Sequence, residues 1–276
     1  MINLSDNILK DTIQKRKTIS HKGDFGKTLL IGSNANFGGA ILMAAKATLL
    51  SGSGLTYTAT DPNNVTAIHQ YLPEVIATNY KQTDQLITLI HHVNVIVIGP
   101  GLGNSWFSLA LLKQIFNHVS EQQVLIIDAS AIDLIAKYDL NLPKAKTVLT
   151  PHQMEWQRLS GIKIVDQTPE ANLKIVQQLH SVVVLKKHQT QIYTNQEIYN
   201  NLPGTPAMAT GGSGDTLAGM IGGFTAQFNE KLNAILAATY LHTKIANDLA
   251  QTHYVVRPTQ ISENIPLYMQ TIAQDN

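Results

Sequence analysis

Short runs of Val, Ile and Leu that are apolar at every position constrain this chain most. Val95-Ile96-Val97-Ile98, Val124-Leu125-Ile126-Ile127 and Val182-Val183-Val184-Leu185 show no alternation with polar residues. A strand with one wet face alternates; a strand covered on both faces does not. Strands are expected over 29–31, 55–59, 75–78, 93–98, 124–127, 147–149 and 182–185. Helical spacing fills 41–50, 106–116, 171–179, 216–228 and 234–249. Ile192-Tyr193 and Ile198-Tyr199 flank Asn195-Gln196 and read as a hairpin. Strand–helix alternation implies an α/β fold, a mostly parallel sheet with helices on both faces. No linker, low-complexity tract or repeat interrupts the pattern, so one domain over 1–276 is the simplest organisation. Ligands of such sheets bind beyond the carboxyl ends of the strands. Chemistry is therefore sought in the segments that follow strands.

Composition narrows the function classes. Hydrophobic residues are 44% and charged ones 14% of the 276, which fits neither a disordered chain nor a coiled coil. Twenty Lys and Arg against 19 Asp and Glu leave a net charge of +1, with no basic excess directed at nucleic acid. The absence of Cys excludes a disulfide framework, a thiol nucleophile and Cys-ligated zinc. Residues 1–17 lack the continuous apolar core of a signal peptide, and the apolar run at 93–98 is too short to span a bilayer. A soluble cytoplasmic protein is expected.

Several glycine-rich segments could approach a ligand. Gly211-Gly212-Ser213-Gly214-Asp215 precedes a small-residue helical stretch. Glycines let successive N–H groups point at one anion, and a helix N-terminus adds a favourable dipole. Asp215 there could take a proton from a substrate hydroxyl, or it could simply cap the helix. Gly99-Pro100-Gly101-Leu102-Gly103 is either a ligand-facing turn or a tight strand-to-helix turn; its third glycine comes one residue early for a dinucleotide fingerprint. Gly26-Lys27-Thr28 is not a phosphate loop, because His21 stands where that motif needs glycine. His21 to Lys27 is then a basic loop near phosphate or a solvated one. Gly32-Ser33-Asn34 with Gly38-Gly39-Ala40 permits ligand approach or close packing. Thr150-Pro151-His152-Gln153-Met154-Glu155 reads as a helix start, with Thr150 as N-cap, Pro151 first and Gln153 in the capping-box position. His152 and Glu155 share a helix face and could contact substrate or a metal's waters. Lys186 and Lys187 could meet phosphates, and Gln189 or Thr190 an adenine or ribose. His242 and Asp248 do not share a face cleanly and read as structural.

Taken in order, these motifs resemble the ADP/ATP-dependent NAD(P)H-hydrate dehydratase family of the ribokinase-like superfamily. The run from Ala207 to Gly219, which contains Thr210-Gly211-Gly212-Ser213-Gly214-Asp215, is the most specific part. Leu149-Thr150-Pro151-His152 with Glu155, Ile127-Asp128-Ala129, the 99–103 turn and His21-Lys22-Gly23 support it. The resemblance implies a three-layer α/β/α sandwich with a mostly parallel central sheet. It implies repair of the 6S hydrate of NADH or NADPH at the expense of ADP or ATP. Asp215 matches the base on the substrate hydroxyl, and Gly212, Ser213 and Gly214 the anion hole. Ala40, Gly103, His152 and Asp215 match positions contacting the hydrate. Lys186, Lys187, His188, Gln189, Thr190 and Gly214 match contacts to the adenine nucleotide. Mg²⁺ would accompany the phosphates through water, without direct protein ligation. Asp215 is expected to be ionised at its helix N-terminus. The resemblance also implies a homotetramer and a functional pairing with an epimerase of the hydrate; the charge balance and the short apolar runs point to no nucleic-acid or membrane partner.

The chain departs from the family's pattern at three positions. Lys187 stands where a glycine is usual, Phe37 where an aromatic hydroxyl is frequent, and Ala207 in place of a glycine. Two other readings compete. A kinase of a vitamin-precursor alcohol would use the same aspartate and anion hole and stop at the phosphate ester. A non-catalytic nucleotide-binding module would not need the aspartate.

Overall fold

The computed structural model describes residues 1–274. The expected strands are present as β2 (Lys27–Ile31), β3 (Leu55–Thr60), β4 (Ile76–Asn79), β5 (Val95–Ile98), β6 (Val124–Ile127), β7 (Lys146–Leu149) and β8 (Val182–Leu185). The hairpin is β9 (Gln189–Tyr193) with β10 (Ile198–Pro203), and β1 (Ile2–Asn3) adds an edge pair. All ten join one sheet in the order β1-β10-β9-β8-β7-β6-β5-β2-β3-β4. β2 through β8 pair in parallel, and β9 is antiparallel to both β8 and β10.

Two hydrophobic cores explain the uninterrupted apolar runs. Val95 and Val97 of β5 enter one core, whereas Ile96 and Ile98 enter the other. β6 divides likewise, Val124 and Ile126 against Leu125 and Ile127. The pleat sends successive side chains to opposite faces, so a doubly covered strand needs an apolar residue at every position. On one face lie α2 (Gly38–Leu50), α9 (Ser213–Gln227) and α10 (Lys231–Ala250), whose buried residues feed the first core. On the other lie α4 (Thr83–His92), α5 (Trp106–His118), α6 (Ser130–Tyr138), α7 (Gln153–Ser160) and α8 (Pro169–Leu179). The result is the three-layer arrangement expected from the sequence. The chain adds α1 (Asn7–Thr12), α3 (Pro62–Tyr71) and α11 (Pro258–Gln274). Among the described residues, no helix is long and apolar enough to cross a membrane.

Two starts differ from expectation. The helix after β7 begins at Gln153, with His152 as its N-cap and Glu155 in the capping-box position. Thr150 is instead buried at the end of β7, where a side chain below it takes its hydroxyl. Helix α9 begins at Ser213, not at Thr216. Ser213, Gly214 and Asp215 are therefore its first turn. Gly212 caps it with a φ of +97°, a left-handed conformation that favours glycine, and a Cβ there would lie 2.2 Å from Met43 Sδ of α2.

Candidate active site

The carboxyl ends of β6, β7 and β8 deliver one polar residue each to a shared point: Asp128, Thr150 and Lys186. Lys186 Nζ lies 2.7 Å from Asp128 Oδ1, and Thr150 Oγ1 donates to the same oxygen at 2.7 Å. The β7 and β8 ends are locked together by the Lys186 amide, which donates to Pro151 O at 2.8 Å, and by a parallel bridge between His152 and Lys186. Asp128 is 1% exposed. A buried ion pair of this kind persists only where further hydrogen bonds complete it, and Thr150 supplies one.

Glu155 stands behind the cap. His152 Nδ1 accepts from the Met154 and Glu155 amides at 3.1 Å each, which leaves the proton on Nε2, 3.4 Å from Glu155 Oε1. The His152 amide donates to Glu155 Oε2 at 2.8 Å. This reciprocal cap holds the imidazole at the cavity wall, half-exposed.

Helix α9 aims its first turn at the same point. The first N–H groups of a helix have no intrahelical acceptor, so those of Gly214 and Asp215 are open to an anion. A Cβ on Gly214 would lie 3.1 Å from Lys186 Nζ, so the ammonium sits directly over that backbone. Positive charge and open donors coincide.

The three carboxylates crowd one lysine. Burial pushes the Asp215 carboxyl up to about 6, Asp128 adds to the rise, Lys186 opposes it and Glu155 reinforces it. Glu155 is raised chiefly by burial, against the pull of Lys186. For Lys186, burial works to lower the value, but Asp128 and Glu155 outweigh it and the net shift is upward. Asp215 at its helix N-terminus is still ionised at neutral pH, as expected, but less readily than a free carboxyl. Burial and like charge dominate, and the carboxylate is ionised only above about pH 6.

Beside this cluster lies a cavity of about 520 Å³. His152, Lys186, Lys187, His188, Thr190, Ser213 and Gly214 line it, so most of the residues singled out from sequence for nucleotide contact meet at one wall. Gln189 does not; its amide donates to Asn201 O at 2.9 Å between the hairpin strands. Gly212 and Asp215 adjoin the cavity through α9 without lining it. Ala40 and Gly103 belong to a neighbouring rim. A Cβ on Gly101 would sit 2.9 Å from Ala40 Cβ, and the Gly103 amide donates to Ser130 Oγ at 3.0 Å. The His21 to Lys27 loop stands at the amino end of β2, opposite the cluster, which favours the solvated loop over a basic loop near phosphate.

These motifs can be set beside known proteins. The family model described as NAD(P)H-hydrate dehydratase matches residues 28–267. The chain belongs to the NAD(P)H-hydrate dehydratase family. It is 52% identical to an ADP-dependent (S)-NAD(P)H-hydrate dehydratase of Lactiplantibacillus plantarum, over 98% of both chains. The fold superposes on a ribokinase-like superfamily protein of Enterococcus faecalis with a TM-score of 0.97 at 44% identity, covering 99% of this chain and 96% of that one. The Bacillus subtilis ADP/ATP-dependent NAD(P)H-hydrate dehydratase, co-crystallised with ATP and Mg²⁺, gives 0.88 at 28% identity over 98% of each.

Within this dehydratase fold, three residues gain a place that sequence reasoning did not give them. Asp128 had supported the resemblance without a role; its signal was an acid directly after a fully apolar strand. Glu155 had been paired only with His152, and the structure adds Lys186 and Asp128 to its surroundings. His242, read as structural, is 3% exposed and lines the cavity.

Proposed function

We propose that the chain removes the water of hydrated NADH or NADPH, the S epimer, at the expense of ADP or ATP. The observation that carries this reading is the convergence of Asp215, Lys186 and the open amides of α9 on one point. The family relatives supply the substrate class.

Hydroxide is a poor leaving group and phosphate a good one. Asp215 takes the proton of the substrate hydroxyl as its oxygen attacks the terminal phosphorus of the nucleotide. The P–O bond to AMP, or to ADP when ATP is the donor, breaks as the new one forms. The amides of Gly214 and Asp215, with Lys186 above them, hold the charge that develops on the transferring group. The ring nitrogen's lone pair then expels phosphate, and loss of the adjacent ring proton restores the dihydropyridine. In this reading His152, Ala40 and Gly103 border the hydrate. Lys186, Lys187, His188 and Thr190 border the nucleotide, and Gln189 supports the hairpin from behind.

The donor set suits a hard divalent cation. It is oxygen-only, and with one lysine among three carboxylates it is short of positive charge. Among the described residues, no group of three or more candidate ligands is arranged to hold an ion directly. Asp128 and Asp215 would hold Mg²⁺ through its water shell, and the ion would offset phosphate charge. A cytoplasmic homotetramer working beside an epimerase fits a reaction that accepts one epimer of a soluble cofactor.

The test is recovery of NADH absorbance from purified protein, hydrated NADH, Mg²⁺ and ADP or ATP. Nucleotide-dependent recovery with release of phosphate is expected. A stable phosphate ester without recovery would instead identify a kinase of the same fold.

A further inference from the structure

The cavity contains polar atoms with no partner inside the protein. His242 sits midway along α10, facing α9, and its Nε2 is buried without a hydrogen bond. Thr210 Oγ1, on the same cavity, is likewise buried and unpaired. Such atoms are rare exceptions in folded proteins. The neighbours of His242 on α10 are satisfied. Thr239 Oγ1 donates to Ile235 O at 2.8 Å, and Thr243 Oγ1 accepts from Asn201 Nδ2 at 2.8 Å. Along this stretch of α10 the imidazole is the open position.

Its surroundings describe the group it awaits. Leu202, Met208 and Leu217 give the cavity an apolar lining around that wall. Burial pushes the imidazole down to about 4, a hydrogen bond with the Ser213 backbone opposes this, and Lys186 adds to the fall. The ring is thus neutral at physiological pH, with one nitrogen donating and the other accepting. A neutral polar group in an apolar slot suits an uncharged, flat, heteroaromatic edge and not a phosphate. Lys186 and Gly214 mark the phosphate end of the cavity, which His242 adjoins through Ser213.

We propose that His242 is a specificity residue that hydrogen-bonds the purine edge of the adenine nucleotide. The proposal rests on the reading of this cavity as the nucleotide site. A site built to pair with one edge loses affinity for the right base when the pairing group is removed, while a base that never paired loses little.

The experiment is titration calorimetry of the full-length protein with ADP and with GDP, for wild type, His242→Phe, His242→Asn and His242→Gln. Gln places a hydrogen-bonding group near the position of Nε2, whereas Asn falls short of it. Wild type is expected to favour ADP over GDP. His242→Phe and His242→Asn should each weaken ADP by about tenfold, equivalent to the loss of about 1.4 kcal/mol, and GDP by less than about threefold. His242→Gln should recover most of the ADP affinity. In turnover, the Asn variant should raise KM for ADP with kcat nearly unchanged. An unchanged ADP affinity in His242→Asn, or a parallel loss for both nucleotides, overturns the proposal alone. Failure of wild type to bind ADP overturns it together with the nucleotide reading of the site.

Discussion

Two cavities of similar size open at opposite ends of the sheet, and they differ in what their walls leave unfinished. The one at the carboxyl ends, about 520 Å³, adjoins three carboxylates around one buried lysine and contains unpaired polar atoms. The other, about 450 Å³, lies at the amino ends of β6, β7 and β8 and is lined by Val124, Lys146, Val182, Lys231 and their neighbours. There several polar groups are engaged within the protein. Lys231 Nζ donates to Thr225 O and Phe228 O at 2.7 and 2.8 Å, closing the end of α9, and Thr147 Oγ1 pairs with Ser181 Oγ. Cavity volume therefore does not distinguish a site. Charges held in an unfavourable setting, with donors left open, do.

The sharpest way to break this contrast is to remove the base. Asp215→Asn keeps the shape and the amides of α9 but cannot take a proton. Turnover in the NADH-recovery assay should fall by at least about 100-fold, with the Kd for ADP changed only a few-fold. Lys146→Ala, at the opposite cavity, should leave turnover within about twofold. Equal losses in the two variants would erase the distinction between the ends.

A second comparison removes the lysine. Lys186→Met leaves Asp128 buried without its cation, at a cost of about 3–5 kcal/mol in urea unfolding. The double variant with Asp128→Asn should recover part of that stability and none of the activity. Full recovery of activity in the double variant would show that the pair is only scaffolding.

The pH dependence follows from the crowding. Asp215 in the folded chain is raised to about 6. The base must be ionised, so the rate should fall about tenfold per pH unit below about 6 and level off above it. Stability runs the other way. Between about pH 4 and 6 the folded state holds a proton on Asp215 that the unfolded state has released, so this group's contribution declines as pH rises through that window. Asp215→Asn should therefore raise Tm by a few degrees at pH 8, with the gain vanishing near pH 4. A pH-independent Tm difference would place the variant's effect outside charge.

How much was legible in the sequence depends on the kind of contact. β5, β6 and β8 were readable because double burial demands apolar residues at every position, and one line of sequence records that demand. The glycine-rich segment before α9 stood out because it is local, but its helical start at Ser213, three residues before the expected Thr216, did not. The pairing of Asp128 with Lys186 spans 58 positions and joins strands not adjacent in the sheet, so no spacing rule reveals it. The place of His242 on the cavity was not legible for a related reason. Its helix is buried along most of its length, and only the tertiary packing decides which buried residue faces the cavity. Thr150 shows the limit at short range: the pattern Thr-Pro-x-Gln fits a cap, but His152 and Glu155 form a reciprocal pair, and Asp128 takes the threonine hydroxyl.

The smallest effect concerns Lys187, which departs from the glycine that the resemblance implies. A glycine in a nucleotide loop is expected where backbone must approach the ligand. Here the Lys187 ammonium is drawn sideways, donating to Gln191 Oε1 at 2.7 Å on β9, and burial lowers its pKa. Gln191 in turn accepts from Tyr193 and donates to Asn200, so the lysine is tied into the hairpin and held off the cavity centre. Lys187→Gly should thus change the Kd for ADP by less than about threefold. It should also loosen the hairpin, seen as faster amide exchange over residues 189–201. A loss of ADP affinity beyond tenfold would instead mean that Lys187 leaves Gln191 to meet phosphate, making it part of the carboxyl-end charge set and not of the hairpin.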